Sequence, residues 1–135
     1  MSEINLEIIT PEKVIYKDTI DSITVPGTQG GFQVLKDHAP LMSTLEIGII
    51  TVKKNGNTNY YTTAGGTIEV LNNKVLILAD SAEMIEKLDI NRAQLAKKRA
   101  EERLAKKHEE KIDIIRAEAA LERAINRLNA SEKYR

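Results

Sequence analysis

Apolar and polar residues alternate through most of the first 88 positions, and the period then changes. Ile4, Leu6 and Ile8 alternate with Asn5 and Glu7, and after Thr10-Pro11-Glu12 the alternation resumes at Val14 and Tyr16. A period of two sends successive side chains to opposite faces of an extended chain, so both stretches predict strands. Ile20, Ile23 and Val25 follow less regularly. Pro26-Gly27-Thr28-Gln29-Gly30-Gly31 is the strongest turn signal, because proline presets φ and glycine tolerates positive φ. Phe32 and Val34 then predict a short strand closed by Lys36-Asp37-His38-Ala39-Pro40. Leu45 to Val52 is a longer apolar run, and Asn55-Gly56-Asn57 marks a hairpin turn ahead of Tyr60 to Thr63. Gly65-Gly66 leads into Ile68 to Leu71, and Asn72-Asn73 turns the chain again. Val75 to Ala79 is apolar throughout, which predicts a strand buried on both faces. Short strands at this spacing predict an antiparallel β-sandwich or flattened barrel, followed at Asp80 to Lys87 by a connector with some helical character.

From Leu88 the period becomes helical. Ala93, Ala96, Ala100 and Leu104 form a narrow stripe, and Ile114, Ala117, Leu121, Ala124 and Leu128 form a fuller one. The two segments also echo each other: Leu88-Asp89-Ile90-Asn91-Arg92-Ala93 returns 24 residues later as Ile112-Asp113-Ile114-Ile115-Arg116-Ala117. Asp before helix-forming residues is a natural N-cap, so each copy predicts a helix start. With His108 to Ile112 between them, the segments predict a tight reversal into an antiparallel pair. The expected fold class is α+β: an N-terminal antiparallel β-sandwich, residues 1–87, followed by a C-terminal antiparallel two-helix hairpin, residues 88–135. Alanine buries little area, so the hairpin is expected to rearrange readily.

Charge divides at the same place. Up to Leu88 there are seven lysines against eleven acidic residues, and after it thirteen basic against nine acidic, including all seven arginines. The zero total disfavours nucleic acid, while the segregation points the helices at an anionic partner. Arg92 and Arg116 each follow an Asp by three positions, which predicts local ion pairs. Arg123 and Arg127 have no carboxylate three or four positions away, and Arg99 and Arg103 repeat their spacing. A solvated basic face and a site for an external anion both fit this pattern.

Catalytic and metal chemistry find no support. Cysteine is absent, His38 and His108 have no partner at metal-ligand spacing, no serine lies in a nucleophile-elbow context, and the glycine turn lacks the Lys-Ser/Thr end of a phosphate loop. No stretch approaches the roughly 20 apolar residues of a membrane span, and Met-Ser-Glu-Ile-Asn lacks the features of a signal peptide, so an unexported chain is expected.

Four ordered stretches carry a resemblance: Gly27-Thr28-Gln29-Gly30-Gly31, Asp37-His38-Ala39-Pro40-Leu41, Ala64-Gly65-Gly66-Thr67-Ile68-Glu69-Val70 and Val75-Leu76-Ile77-Leu78-Ala79-Asp80. Followed by an alanine-rich helical pair, they resemble the epsilon subunits of bacterial F-type ATP synthases over essentially the whole chain. The resemblance implies a non-catalytic central-stalk subunit in a proton-translocating complex. Its sandwich would attach to the gamma subunit and the rotor ring of c subunits, with Gly30, Gly31 and His38 as contact residues. Its hairpin would reach the alpha and beta subunits and inhibit ATP hydrolysis. In some members the hairpin binds ATP through an Ile/Leu-Asp-x-x-Arg-Ala motif and arginines of the second helix. Leu88, Asp89, Arg92 and Ala93 fit that motif, Glu83 precedes it, and Arg99, Arg123 and Arg127 occupy the basic positions. ATP would thus be a regulatory ligand, with no cofactor or metal required. The implied location is peripheral, on the cytoplasmic face of the bacterial cell membrane, through the complex alone. A free-standing adaptor with a basic helical hairpin is the alternative from the residues themselves.

Overall fold

The computed structural model describes residues 3–106 and 113–134. The predicted reversal at His108 to Ile112 lies outside them. Eight strands precede the helices: β1 Ile4–Ile9, β2 Val14–Ile20, β3 Ser22–Val25, β4 Phe32–Val34, β5 Leu41–Lys54, β6 Asn57–Leu71, β7 Lys74–Ala79 and β8 Ala82–Met84. A 3-10 turn, Ile85–Lys87, leads to α1, Ile90–Ala105, and then α2, Ile114–Tyr134. By internal contacts the chain forms two compact units, Met1–Met84 and Ile85–Arg135.

In the first unit the strands form one folded sheet in the order β2-β1-β7-β6-β5-β3-β4, with β8 paired to β6. The pairings are antiparallel except that of β1 with β7. Two strands are much longer than their sequence signals. β5 extends the Leu45 to Val52 run at both ends, and β6 joins Tyr60 to Thr63 with Ile68 to Leu71 into one strand of 15 residues. Gly65 and Gly66 lie inside β6, not between strands. Leu45 pairs with Gly66 and Ile47 with Ala64, so Glu46 and Gly65 are skipped in the ladder and the hairpin bends there. Each long strand thereby serves both layers. The glycines are required at the bend: Gly65 and Gly66 have φ of 107° and 145°, and a Cβ on Gly66 would stand 2.1 Å from the Leu78 carbonyl oxygen.

Alternation puts Ile4, Leu6, Ile8, Ile23, Ile50, Ile68, Val70 and Ile77 in one core drawn wholly from residues 4 to 82. Two expectations are corrected here. β7 is buried on one face: Val75, Ile77 and Ala79 point inward, while Leu76 is half-buried and Leu78 is 49% exposed. Strict alternation governs even an all-apolar strand when only one side has a protein layer on it. The segment Asp80 to Lys87 keeps its helical character only at Ile85–Lys87; Ala82–Met84, read as connector, adds a strand to β6. Backbone pairing beside Tyr61 to Thr63 outweighs helix propensity at these positions.

In the second unit α1 and α2 pack together, and the 3-10 turn packs on α2. Ala93, Ala100, Ala117 and Ala124 are buried along the facing seams. Alanine permits close approach at small hydrophobic gain.

Candidate functional site

Both helix starts are built alike. Asp89 is the N-cap of α1, with φ −88° and ψ 101°, and its carboxylate accepts the Arg92 backbone N–H at 3.0 Å. Asp113 accepts the Arg116 backbone N–H, also at 3.0 Å. Ala93 and Ala117 then donate to the Asp89 and Asp113 carbonyls at 3.0 Å and are themselves buried. In Asp-x-x-Arg-Ala, then, Asp ends the chain of orphan donors and Ala lets the first turn pack. Leu88, also buried, immediately precedes the cap. The expected Asp–Arg ion pairs are not formed: among the described residues each carboxylate serves the backbone, and the Arg92 and Arg116 side chains are exposed. Orphan amides at a helix start compete for the carboxylate at shorter reach than a guanidinium.

The arginines are ordered by helix phase. At ~100° per residue, Arg92, Arg99 and Arg103 fall within about 40° of one another on α1, beside the alanine seam. Arg116, Arg123 and Arg127 do the same on α2, on the same rotational side of its seam. An antiparallel pair with facing seams has an effective twofold axis perpendicular to its plane, so rows with equal offset emerge on one side of the pair. Six arginine positions therefore fall on one side of the helical pair. Arg92, Arg99, Arg103 and Arg116 are exposed, and Arg123 and Arg127 are half-buried. Such a face repels itself and attracts anions, most strongly those with several oxygens that accept forked hydrogen bonds. Arg103 and Arg116 were not among the sequence-derived site residues. Their spacings of 11 and 7 from Arg92 and Arg123 are the signal that includes them.

Glu83 belongs to the other unit. It is half-buried on edge strand β8, where its carbonyl accepts the Thr62 hydroxyl at 3.5 Å. The remaining predicted residues flank one short strand: Gly30 and Gly31 precede β4 and His38 follows it. Gly30 is exposed with φ 120°, and the His38 Nδ1 lies 2.7 Å from the Ala39 carbonyl. No group of acidic residues and histidines able to hold a metal occurs among the described residues.

The sandwich also presents a surface that the periodicity did not reveal. In register across four strand pairings, Met42, Glu69, Leu76, Glu7 and Lys17 form a row on the outer face of one layer. Met42, Leu71 and Leu78 are 75%, 47% and 49% exposed on that face. Beside Leu71 on that face lies an open groove of about 730 Å³, bordered by Glu7, Lys17, Glu69, Leu71, Lys74 and Leu76. Exposed large apolar side chains ringed by charges have the make-up of a protein-contact surface.

Two family profiles match the chain: "ATP synthase, Delta/Epsilon chain, beta-sandwich domain" over residues 3–85, and "ATP synthase, Delta/Epsilon chain, long alpha-helix domain" over residues 86–132. The ATP synthase epsilon chain of Pelotomaculum thermopropionicum is 46% identical over 102 residues, 76% of each chain. That of Nitratidesulfovibrio vulgaris is 47% identical over the same share of each. Among solved structures, a chain of the Euglena gracilis mitochondrial ATP synthase OSCP/F1/c-ring assembly has the same fold, with a TM-score of 0.80 and 24% identity over 98% of this chain and 82% of that one. A chain of the Tetrahymena thermophila mitochondrial ATP synthase central stalk/c-ring structure has a TM-score of 0.67 and 13% identity, covering 96% of both.

Proposed function

Because the chain belongs to the ATP synthase delta/epsilon family through both of its domains, we propose that it is an epsilon subunit whose helices restrain ATP hydrolysis and whose arginine face binds ATP. As an epsilon chain it is a non-catalytic subunit of the central stalk and lies peripherally on a membrane complex. No helix among the described residues is long and apolar enough to cross a membrane.

What supports the regulatory reading is the helical phase that sets both arginine rows on one side of the paired helices. A triphosphate fits it. Arg92, Arg99, Arg123 and Arg127 bring permanently charged, forked donors from both helices, while Leu88, Asp89 and Ala93 shape the first turn from which Arg92 projects. A ligand that bridges two helices favours the paired state, by about 2.7 kcal/mol at a hundredfold excess over Kd. ATP then opposes inhibition by keeping the helices from the catalytic head. Without it, the same cationic rows and the exposed Leu95 and Ile115 meet acidic and apolar surface of the alpha and beta subunits.

The sandwich supplies attachment. Its outer face, with a groove bordered by Leu71 and Leu76 and with Met42 and Leu78 exposed, receives the gamma subunit, and the turns bearing Gly30, Gly31 and His38 meet the c-subunit ring on the cytoplasmic side of the bacterial membrane. ATP titrated calorimetrically into the full chain and into Arg123→Ala/Arg127→Ala tests the ligand. Binding that is lost in the variant supports the reading; equal binding, or none to wild type at millimolar ATP, rejects it. Adding the chain to a catalytic head that lacks it is expected to slow hydrolysis, and unchanged inhibition after deletion of residues 89–135 would remove the helices from that role.

A further inference from the structure

Two turns far apart in sequence are clasped by a reciprocal pair of hydrogen bonds. The Asp37 backbone N–H donates to Asn73 Oδ1 at 2.7 Å, and Asn73 Nδ2 donates to Asp37 Oδ1 at 3.0 Å. Asn72 and Asn73 form the two-residue connection from β6 to β7, with φ of 50° and 59°. The second position of such a turn suits glycine best, since a Cβ is strained at positive φ. Asparagine is a poorer fit to the backbone, and what it adds is the amide that reaches Asp37.

The clasped turn needs external support. Asp37 is itself at φ 63°, and the turn closes on itself through His38 N–H to the Leu35 carbonyl at 3.3 Å, a long bond. Beside the clasp, Lys36 pairs with Glu3 at 2.6 Å on the exposed rim. The turn bears Leu35, 54% exposed, and runs through Pro40 into Leu41 and Met42 at the edge of the outer face; Leu71, just before Asn72, borders the groove there. The clasp thus ties the turn that leads into Leu41 and Met42 to Asn73, next to the groove-lining Leu71 and Asn72, and neither of its residues belongs to the core cluster.

We infer that Asn73 is a positioning residue for attachment: through Asp37 it holds the Leu35–His38 turn in the shape that presents Leu35 and Met42 to the stalk subunit covering the outer face. The inference rests on the attachment reading above. A preformed turn spares the ordering cost at docking, so loss of the clasp weakens attachment without weakening the sandwich.

The test uses ATP synthase membranes stripped of this subunit, with full-length chain titrated back and ATP-driven proton pumping as the readout. Asn73→Gly removes the clasp while suiting the turn. It is expected to melt at or above the wild-type temperature, yet to need about tenfold more protein for half-maximal pumping, the worth of roughly one good hydrogen bond. Asn73→Asp sets two carboxylates against each other and weakens attachment similarly; adding Asp37→Asn restores an amide–carboxylate pair and with it near-wild-type half-saturation. Wild-type half-saturation for Asn73→Gly, or no rescue of Asn73→Asp by Asp37→Asn, overturns the inference while the attachment reading stands. Failure of the wild-type chain itself to restore pumping brings down both.

Discussion

Single side chains in this protein often serve the backbone before they serve a ligand. Asp89 occupies a position that family resemblance connects with nucleotide, yet its carboxylate is already engaged as a helix cap. Asp89→Ala is therefore expected to cost about 1 kcal/mol of helix stability. Faster hydrogen exchange at the Arg92 and Ala93 amides would report it, and Asp89→Asn, which keeps an acceptor, would restore slow exchange. Tyr61 makes a second residue-level case. Burial raises its phenol pKa above the usual 10.0, with the phenol of Tyr16 adding to the effect. The two rings meet edge to face at 6.3 Å. A group whose folded-state pKa is raised leaves stability intact below its unfolded pKa and removes it as pH climbs through the folded one. Lys54, raised by its hydrogen bond to Asp18, acts in the same alkaline window. Urea midpoints are thus expected to fall from about pH 9.5 to 11, less steeply in Tyr61→Phe, whose ring cannot ionise.

At the scale of elements, the bent β5–β6 hairpin decides whether there is a sandwich at all. Gly66→Ala would drive a Cβ into the Leu78 carbonyl at 2.1 Å and into the Ala79 Cα at 2.8 Å, at a backbone φ of 145°. Neither obstacle is the end of a flexible side chain. A loss of at least about 3 kcal/mol, or failure to fold, is expected in urea denaturation. Gly30→Ala is the control: its φ is 120° but nothing lies within 4 Å of the added carbon, so only backbone strain of about 1 kcal/mol is expected. Helix faces are the other element-scale device. Three arginines on each helix at the same offset from an alanine seam are a scattered list in sequence, and they become one surface only when the helices pair antiparallel.

For the whole molecule, the relevant fact is that the sandwich core draws on no residue of the helical unit. A chain ending at Met84 is expected to retain sheet-type circular dichroism and a cooperative melt. A molten, aggregating fragment would show that the sandwich depends on the helices. The helical unit has the opposite character: its buried residues are mainly alanines, with Ile85 and Leu88. Small burial makes the pairing of its helices cheap to undo.

Much of this could be read from residues alone, wherever the determining interaction is local. Alternation identified the inward face of β1, since side-chain direction in an extended chain depends only on parity. Asp before each helical run identified both caps, whose hydrogen bonds span three residues. What escaped was set by partners distant in sequence. The length of β6 depends on β5 pairing along it through two positive-φ glycines, and Ala82–Met84 becomes a strand because the edge of β6 is open to it. Leu76 and Leu78 look like core in sequence, yet which side of a strand is covered is a property of the layers around it. Arg103 and Arg116 join the cationic face, and Asn73 reaches Asp37 across 36 residues, for the same reason: local chemistry sets what a side chain can do, and the tertiary arrangement decides what it meets.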